Sequence, residues 1–447
     1  MNNKNFTEEV STLTSQAQGI CSIDGLKIFI DYVLPGERVT AQVIQKKKKY
    51  AVAKLLKVET NSEDRAKPPC PLFTKCGGCQ IMHMSYQMQL NFKTNKVKEA
   101  LLRIGHIDLE PKDCVASPLV LSYRNKIQLP FFDEENTLKL GLYKKGTNTP
   151  IGVDQCYIHC ELGEKVFKAL QTLLPQSKLK SFDEQTKTGD LRHLLIKTGI
   201  TTKESLVVFI ASSKKALPQI KALGEKLMSL LPEVKGVILN INRKRFNTIA
   251  GDEYLTLQGQ SYIHERLLGK TFKISAHSFF QVNPSQAEQL YKKAIEFAEL
   301  KPDQIVLDAY CGIGTLSLLA ANYVKEVIGI EVVESAIIDA KKNAQDNQIS
   351  NCNFIQGLVE EKINEIKDLD VVFINPPRKG CETTVLKALS KRKPQKLIYI
   401  SCDPATLARD LHYLCQNGFE AKSIQPFDMF PQTTHVETCV LLEPFSL

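Results

Sequence analysis

The chain has no apolar run approaching the roughly 20 residues that a membrane-spanning helix needs, which argues against an integral membrane protein. Its first stretch, MNNKNFTEEV, has no basic segment leading into an apolar one, so a secretory leader is not expected and a cytoplasmic protein is. No internal repeat is present. A disulfide framework is also missing: 13 cysteines, an odd number and unevenly spaced, point in a reducing compartment to thiols, metal ligands or a nucleophile. The 43% hydrophobic content is that of a soluble globular protein, and 447 residues are too many for one ordinary core, so two or three domains are expected. The net charge of +9 is modest for this length. Its distribution says more: Lys46, Lys47, Lys48 and Lys49 run unbroken into Tyr50, and KRKPQK fills 391–396. Such runs are ordinarily solvated surface, and become phosphate contacts where neighbouring elements independently point to nucleic acid.

The pattern predicts a multi-domain α/β protein. Over residues 1–60, short β-rich stretches alternate with turn signals at Asp24-Gly25 and Pro35-Gly36, and Val39, Ala41 and Val43 have the period of a half-buried strand. That is a small β-barrel of the OB type. The polar stretch ETNSEDRAKPP reads as a linker. Residues 61–270 form an α+β middle domain, with β-like runs KIQLPFF, LRHLLIKTG, SLVVFIAS and GVILNIN and amphipathic helices over 161–174 and 214–231. Over 271–447 the order strand, glycine loop, helix, strand, acid, helix announces a doubly wound, Rossmann-like domain.

Within that last domain, IVLDAYCGIGTLSLLAA supplies an apolar strand, Asp308, a turn with Gly312 and Gly314, and a small-residue helix. The next strand, EVIGIE, ends in Glu331, where an acid suits a ribose diol. The third glycine of the dinucleotide fingerprint is missing and no pyrophosphate site is evident, which favours S-adenosylmethionine over NAD. A tight turn is the bland alternative. On the fourth strand, DVVFINPPRKG places Asn375 before a stiff Pro-Pro turn.

On the fifth strand, KLIYISC ends in Cys402. Asp403 is a good N-cap, Pro404 suits the first helical position, and Leu407, Leu411 and Leu414 recur at helical spacing. Unpaired amides and the helix dipole would then lower the Cys402 pKa. A single cysteine is ordinarily a small buried hydrophobe. Beside three cofactor elements at one sheet edge, a nucleophile is the stronger reading.

CPLFTKCGGC puts Cys70, Cys76 and Cys79 within ten residues, with Gly77 and Gly78 permitting tight wrapping. Three thiols this close ordinarily ligate something; the fourth ligand is Cys114, Cys156 or Cys160, between which the spacing does not choose. Four thiolates suit zinc or an iron–sulfur cluster. The Cys-x5-Cys-x2-Cys spacing is not that of a radical enzyme.

Together with GDLRHLLIKTG, SFFQVNPSQAEQLY and FPQTTHVETCVLL, these motifs make the sequence resemble the RNA 5-methyluridine methyltransferases over nearly its whole length, particularly the iron–sulfur branch that modifies 23S ribosomal RNA. The resemblance implies a TRAM-type barrel at the N-terminus and S-adenosylmethionine held by Gln281, Tyr310, Glu331 and Asn375. It implies Cys402 as nucleophile, Glu437 as general base, and a [4Fe-4S] cluster on Cys70, Cys76, Cys79 and Cys156 that helps shape an RNA-binding surface. The expected partner is RNA, with no membrane, and the expected state is a monomer. One position departs: the family usually has aspartate where Asn375 stands, and NPP is also found in enzymes that methylate exocyclic amines, which need no cysteine nucleophile. The competing expectations are the same reaction on transfer RNA, which the cysteine cluster disfavours, and a catalytically reduced RNA-binding assembly factor.

Overall fold

The structure, a computed structural model, describes residues 4–243 and 249–445; the ends of the expected first and third domains, 1–3 and 446–447, lie outside the described residues. At the N-terminus, alternation of buried and exposed side chains along Arg38–Lys46 gives a half-buried strand, as the Val39, Ala41, Val43 period predicts. It pairs with Asn5–Glu9 on one side and Tyr50–Thr60 on the other, and the sheet continues through Leu26–Asp31, Gln18–Ile23 and Thr12–Leu13. Three register shifts between Arg38–Lys46 and Tyr50–Thr60 bend these strands around a core of Val10, Cys21, Ile28, Ile30 and Val39. Both residues of the Asp24-Gly25 turn have positive φ, +49° and +76°, the two-residue hairpin geometry that the sequence signals.

The polar linker is tied down. Glu37, wholly buried, accepts the amides of Leu34 (2.8 Å) and Ser62 (3.2 Å), and Arg65 closes on it with a 2.6 Å contact from Nη2. A charged residue in the linker thus neutralises a buried carboxylate in the barrel and fixes the chain's exit.

The middle sheet runs in the order Glu253–Gly259, Val234–Ile241, Glu204–Ala211, Leu191–Gly199, Lys126–Glu134, Thr137–Tyr143, Pro150–Gly152. Near-continuous burial along Leu191–Gly199 and Glu204–Ala211 shows both faces covered. Helices Glu161–Leu173 and Leu217–Leu230 pack on one face through Phe167, Leu170, Ile220 and Leu227. The hairpin of Tyr262–Leu267 and Lys270–Ser275 packs on the other and joins it to the C-terminal core through Ile263 and Phe272.

The C-terminal sheet has the order Cys352–Gln356, Glu326–Glu331, Ile305–Ala309, Val371–Ile374, Lys396–Ser401, Glu437–Pro444, Phe419–Phe427. The first five strands are parallel and the last two join as an antiparallel hairpin. Helix Tyr86–Ala100, capped by the Ser85 hydroxyl, also belongs to this core: Leu90 and Val97 pack with Leu407, Leu411 and Val436. Among the described residues no helix is long and apolar enough to cross a membrane.

Candidate active site

Chain order reverses between Ile305–Ala309 and Val371–Ile374, and ligands of open α/β sheets bind beyond the carboxyl ends at such a switch point. Immediately after the first of these strands, Tyr310 adopts φ +67°, a left-handed conformation that a bulky residue holds only when its surroundings enforce it. Gly312 and Gly314 follow at +56° and +81°; a Cβ at Gly314 would also meet the Phe354 ring at 2.9 Å. The turn is thus closed to larger residues and its backbone stays open to a ligand. Glu331 accepts the Gly312 amide at 3.1 Å and the Val333 amide at 2.9 Å, which holds its carboxylate beside the turn. Asp308 faces inward instead: burial pushes its carboxyl up to about 7, and it accepts the Ser317 hydroxyl at 2.5 Å, stitching strand to helix.

Cys402 lies half-buried just before helix Pro404–Gln416. Asp403 caps that helix, accepting the amides of Ala405 (2.9 Å) and Thr406 (3.1 Å), and Leu407, Leu411 and Leu414 are buried as their spacing predicts. The expected lowering of the thiol pKa is not found. Burial, and then the nearby Glu437 carboxylate, push Cys402 up to about 11, against an opposing pull from Arg378. The Asp403 carboxylate occupies the first amides of the helix, and desolvation outweighs the dipole.

Pairing brings the general-base candidate alongside. Ser401 pairs with Thr438 in the last register step between the two strands, so Cys402 and Glu437 sit together where the strands end. Glu437 is 3% exposed, and its burial raises the carboxyl to about 8, again against Arg378. Arg378 therefore faces both groups, a role that NPPRKG contains but that spacing does not reveal. The loop carrying it docks on the helix that follows Cys402: Thr406 Oγ1 donates to the Arg378 carbonyl (3.0 Å), Arg409 to the Lys379 carbonyl (2.9 Å), and the Cys381 amide to Asp410 (2.8 Å).

Gln281 is buried and bonds the hydroxyl of Tyr291, itself a close neighbour of Asp308 and Glu437. Asn375 is half-buried and follows the fourth strand directly. Gln281, Tyr310, Glu331, Asn375, Cys402 and Glu437 are thus placed around one edge of one sheet.

The four cysteines Cys70, Cys76, Cys79 and Cys156 also come together. Cys79 lies within electrostatic reach of the other three, and Cys70, Cys79 and Cys156 border the cluster of Phe73, Met82, Tyr123 and Ile158. The Gly78 amide donates to the Cys76 sulfur at 3.3 Å, and backbone donors from Ile158 and His159 face Cys156. Burial pushes the thiols of Cys76, Cys79 and Cys156 upward, and these amides oppose that shift only in part at Cys76 and Cys156. Cys114 is instead packed in the C-terminal core near Asp428, and Cys160 ends against Thr198 at the start of helix Glu161–Leu173. Among the described residues, no three His, Cys, Asp or Glu side chains are gathered so as to hold a metal ion. The thiols share a neighbourhood without converging on a single-ion centre.

A seven-stranded sheet in this order, with its last strand antiparallel between its neighbours, is a methyltransferase fold. The chain belongs to the tRNA (uracil-5-)-methyltransferase family, whose model matches residues 85–444, and the TRAM domain model matches residues 4–56. It is 41% identical over 444 residues to an uncharacterized RNA methyltransferase of Clostridium tetani, covering 98% of this chain and 96% of that one. A second such RNA methyltransferase, of Halalkalibacterium halodurans, is 41% identical over 448 residues, covering 99% and 98%. The crystal structure of Pyrococcus abyssi tRNA (uracil-54, C5)-methyltransferase with S-adenosyl-L-homocysteine superposes with a TM-score of 0.81 at 26% identity, covering 98% of this chain and 99% of that one. The protein is an RNA uracil-5 methyltransferase.

Proposed function

We propose that the enzyme methylates C5 of a uridine in 23S ribosomal RNA through a covalent adduct on Cys402, with Glu437 as general base. The proximity of Cys402, Arg378 and Glu437 beyond the carboxyl end of the fifth strand supports the adduct mechanism. Bound S-adenosylmethionine supplies a methyl group on a positively charged sulfur. Tyr310, Glu331, Asn375 and Gln281 surround the edge where it would lie, with Glu331 suited to the ribose diol. Asn375 keeps one carbonyl acceptor of the usual aspartate and loses its charge.

Uracil C5 is too weak a nucleophile to take a methyl group unaided. Addition of the Cys402 thiolate to C6 makes C5 an enolate-like carbon, which would attack the methyl group of bound S-adenosylmethionine as the S–CH3 bond breaks, its electron pair passing to sulfur and S-adenosylhomocysteine leaving. Glu437 then takes the C5 proton, the C5–H electron pair restores the C5=C6 bond, and the C6–Sγ bond breaks to return the thiolate. Burial supports the base role, because a carboxylate with a raised proton affinity is the stronger base. Arg378 supports the nucleophile by stabilising thiolate over thiol. Addition at C6 needs an exposed base face, so the target uridine is single-stranded or flipped from its stack.

We place a [4Fe-4S] cluster on Cys70, Cys76, Cys79 and Cys156, since a cubane spreads its four ligand sulfurs wider than a single ion does. This group is also the reason for preferring ribosomal RNA. The family model's name and the Pyrococcus abyssi enzyme favour the second reading, transfer RNA as substrate. We further infer a cytoplasmic monomer in three parts, 1–60, 61–270 and 271–447, with helix Tyr86–Ala100 of the second part packed into the core of the third and the first part contributing RNA contacts.

Mass-spectrometric mapping of 5-methyluridine in ribosomal and transfer RNA, from cells with and without the gene, separates the two substrates. For the mechanism, Glu437→Gln should accumulate an RNA adduct that survives denaturation, and Cys402→Ala should form none while still binding S-adenosylmethionine. Near-normal methylation by Cys402→Ala, or methyl groups on an exocyclic nitrogen, would replace this mechanism with amine methylation.

A further inference from the structure

The segment 428–436 joins the last two strands of the C-terminal sheet and ends at Glu437. Connecting segments ordinarily lie at the surface, because their backbone groups need water. This one is buried at every position but Phe430 and His435, which are half-buried. Many of its polar groups are bonded instead to residues more than 300 positions away. The Gln432 carbonyl accepts the amides of Gln80 (3.0 Å) and Ile81 (3.1 Å), which directly follow Cys79. The Gln432 amide donates to Gln89 Oε1 (3.0 Å), and Gln89 Nε2 donates back to Gln432 Oε1 (3.1 Å). Lys93 donates to the Phe430 carbonyl (3.0 Å) and pairs with Asp428; Lys96 donates to the Thr434 carbonyl (2.7 Å), and the Tyr123 hydroxyl to the Pro431 carbonyl (3.1 Å). Gln432 itself is held at φ +70°, a conformation its neighbours must enforce.

We propose that the cysteine loop and the helix behind it set the position of the general base. On this view Gln89, through Gln432, and the Gln80 side chain, through Thr434, are positioning residues that act on Glu437, and the integrity of the cysteine site governs release of the methylated product. The inference rests on the reading of Glu437 as base. The geometry makes the effect selective. Cys402 is carried by the fifth strand and its helix, and Glu331 by the second strand; among the described residues none of these hydrogen-bonds the segment 428–436, although the helix after Cys402 packs on helix Tyr86–Ala100 through Leu407 and Leu411. Glu437 is delivered by that segment. Loosening the segment therefore leaves thiolate addition and methyl transfer in place, and displaces the group that removes the C5 proton. A misplacement of about 1 Å at a reacting group costs on the order of a hundredfold.

The test uses full-length protein purified anaerobically, a uridine-containing RNA substrate and labelled S-adenosylmethionine. In single turnover, Gln89→Ala should transfer the methyl group at close to the wild-type rate and resolve the adduct about tenfold to a hundredfold more slowly, so that a denaturation-resistant adduct accumulates. Gln80→Ala, which removes a half-buried side chain that reaches the Thr434 amide (3.4 Å), should show the same split more weakly and guards against misfolding of the first variant. Without RNA, Cys79→Ser should raise hydrogen exchange at the amides of Gln432 and Thr434 and leave the strand Ile305–Ala309 protected, a readout independent of activity. Normal adduct release in both glutamine variants while Glu437→Gln traps the adduct would overturn this inference alone. Equal slowing of transfer and release would reduce the contacts to a structural role and also overturn it, as would unchanged exchange in Cys79→Ser. Failure of Glu437→Gln itself to trap the adduct would overturn the underlying reading of the base.

Discussion

Ser401 and Thr438 pair across two antiparallel strands, and this single register step sets the thiol of Cys402 and the carboxyl of Glu437 side by side. A slip of one residue would turn Glu437 to the opposite face of the sheet, since side chains alternate along a strand. The register thus sets which face the proposed nucleophile and base share, while the buried segment 428–436 holds the strand end from which Glu437 projects. Arg378, brought in by the NPPRKG loop, opposes the raised proton affinity of both.

Thiol reactivity should depend on that arginine. Cys402 stands at about 11 with Arg378 pulling it down, so Arg378→Ala should raise it further and slow its alkylation by iodoacetamide at pH 8 by about tenfold for each 1.4 kcal/mol of lost thiolate stabilisation. The pH dependence of the alkylation rate, followed at Cys402 by peptide mass spectrometry, checks this. An unchanged profile in Arg378→Ala would remove the arginine from thiol activation.

The buried Glu437 makes stability depend on pH in a definite direction. Its folded value of about 8 lies above the ordinary 4.5, so folding favours the protonated form. That contribution is complete below about 4.5 and is lost as pH rises through about 8. Asp308, raised to about 7 from 3.8, acts in the same direction. The melting temperature of the wild type should fall between pH 5 and pH 9, and that of Glu437→Gln should fall less, with Asp308 accounting for a remaining part. Parallel melting curves across this range would show that Glu437 ionises normally in the folded protein.

Purified without oxygen, the protein should be brown and contain about four iron atoms per chain. Serine at Cys70, Cys76, Cys79 or Cys156 should remove the iron, whereas Cys114→Ser should retain it, because Cys114 lies in the C-terminal core away from the other thiols. Metal analysis decides this, and stoichiometric zinc without iron would exclude the cluster.

The run Lys46 to Lys49 lies at the end of strand Arg38–Lys46 and in the turn before Tyr50–Thr60, with Lys47 5.8 Å above the Tyr50 ring. Replacing the four lysines with glutamine should weaken RNA binding and lower the slope of log affinity against log salt by up to about 0.7 to 0.9 for each phosphate the protein no longer neutralises. Turnover at saturating RNA should change little. Unchanged affinity at low salt would leave the run as solvated surface.

Much of this protein is written in local pattern. The strand alternation of Val39, Ala41 and Val43, the glycine turn after Asp308, the Asp403 cap and the leucine spacing that follows are each decided within about one helical turn or one hairpin of sequence. The structure reproduces them because backbone sterics and side-chain periodicity act over that range. Composition and motif order likewise announced the barrel, the α+β middle part and the doubly wound domain. Three features depend on residues far apart in the chain, and no local pattern carries them. The thiol of Cys402 is shifted upward where the helix dipole alone would lower it, because burial and a carboxylate 35 positions along the chain outweigh a partial charge already answered by Asp403. Arg378 acquires its place from the docking of its loop on a helix that follows the next strand. Gln89 and Gln432, 343 positions apart, meet because the segment before Glu437 is buried and its backbone must find partners within the protein. Sequence determined which chemical groups the chain carries and the elements that hold them. Only the tertiary structure decided their proton affinities and their mutual placement, since desolvation and long-range pairing arise once separate elements have packed.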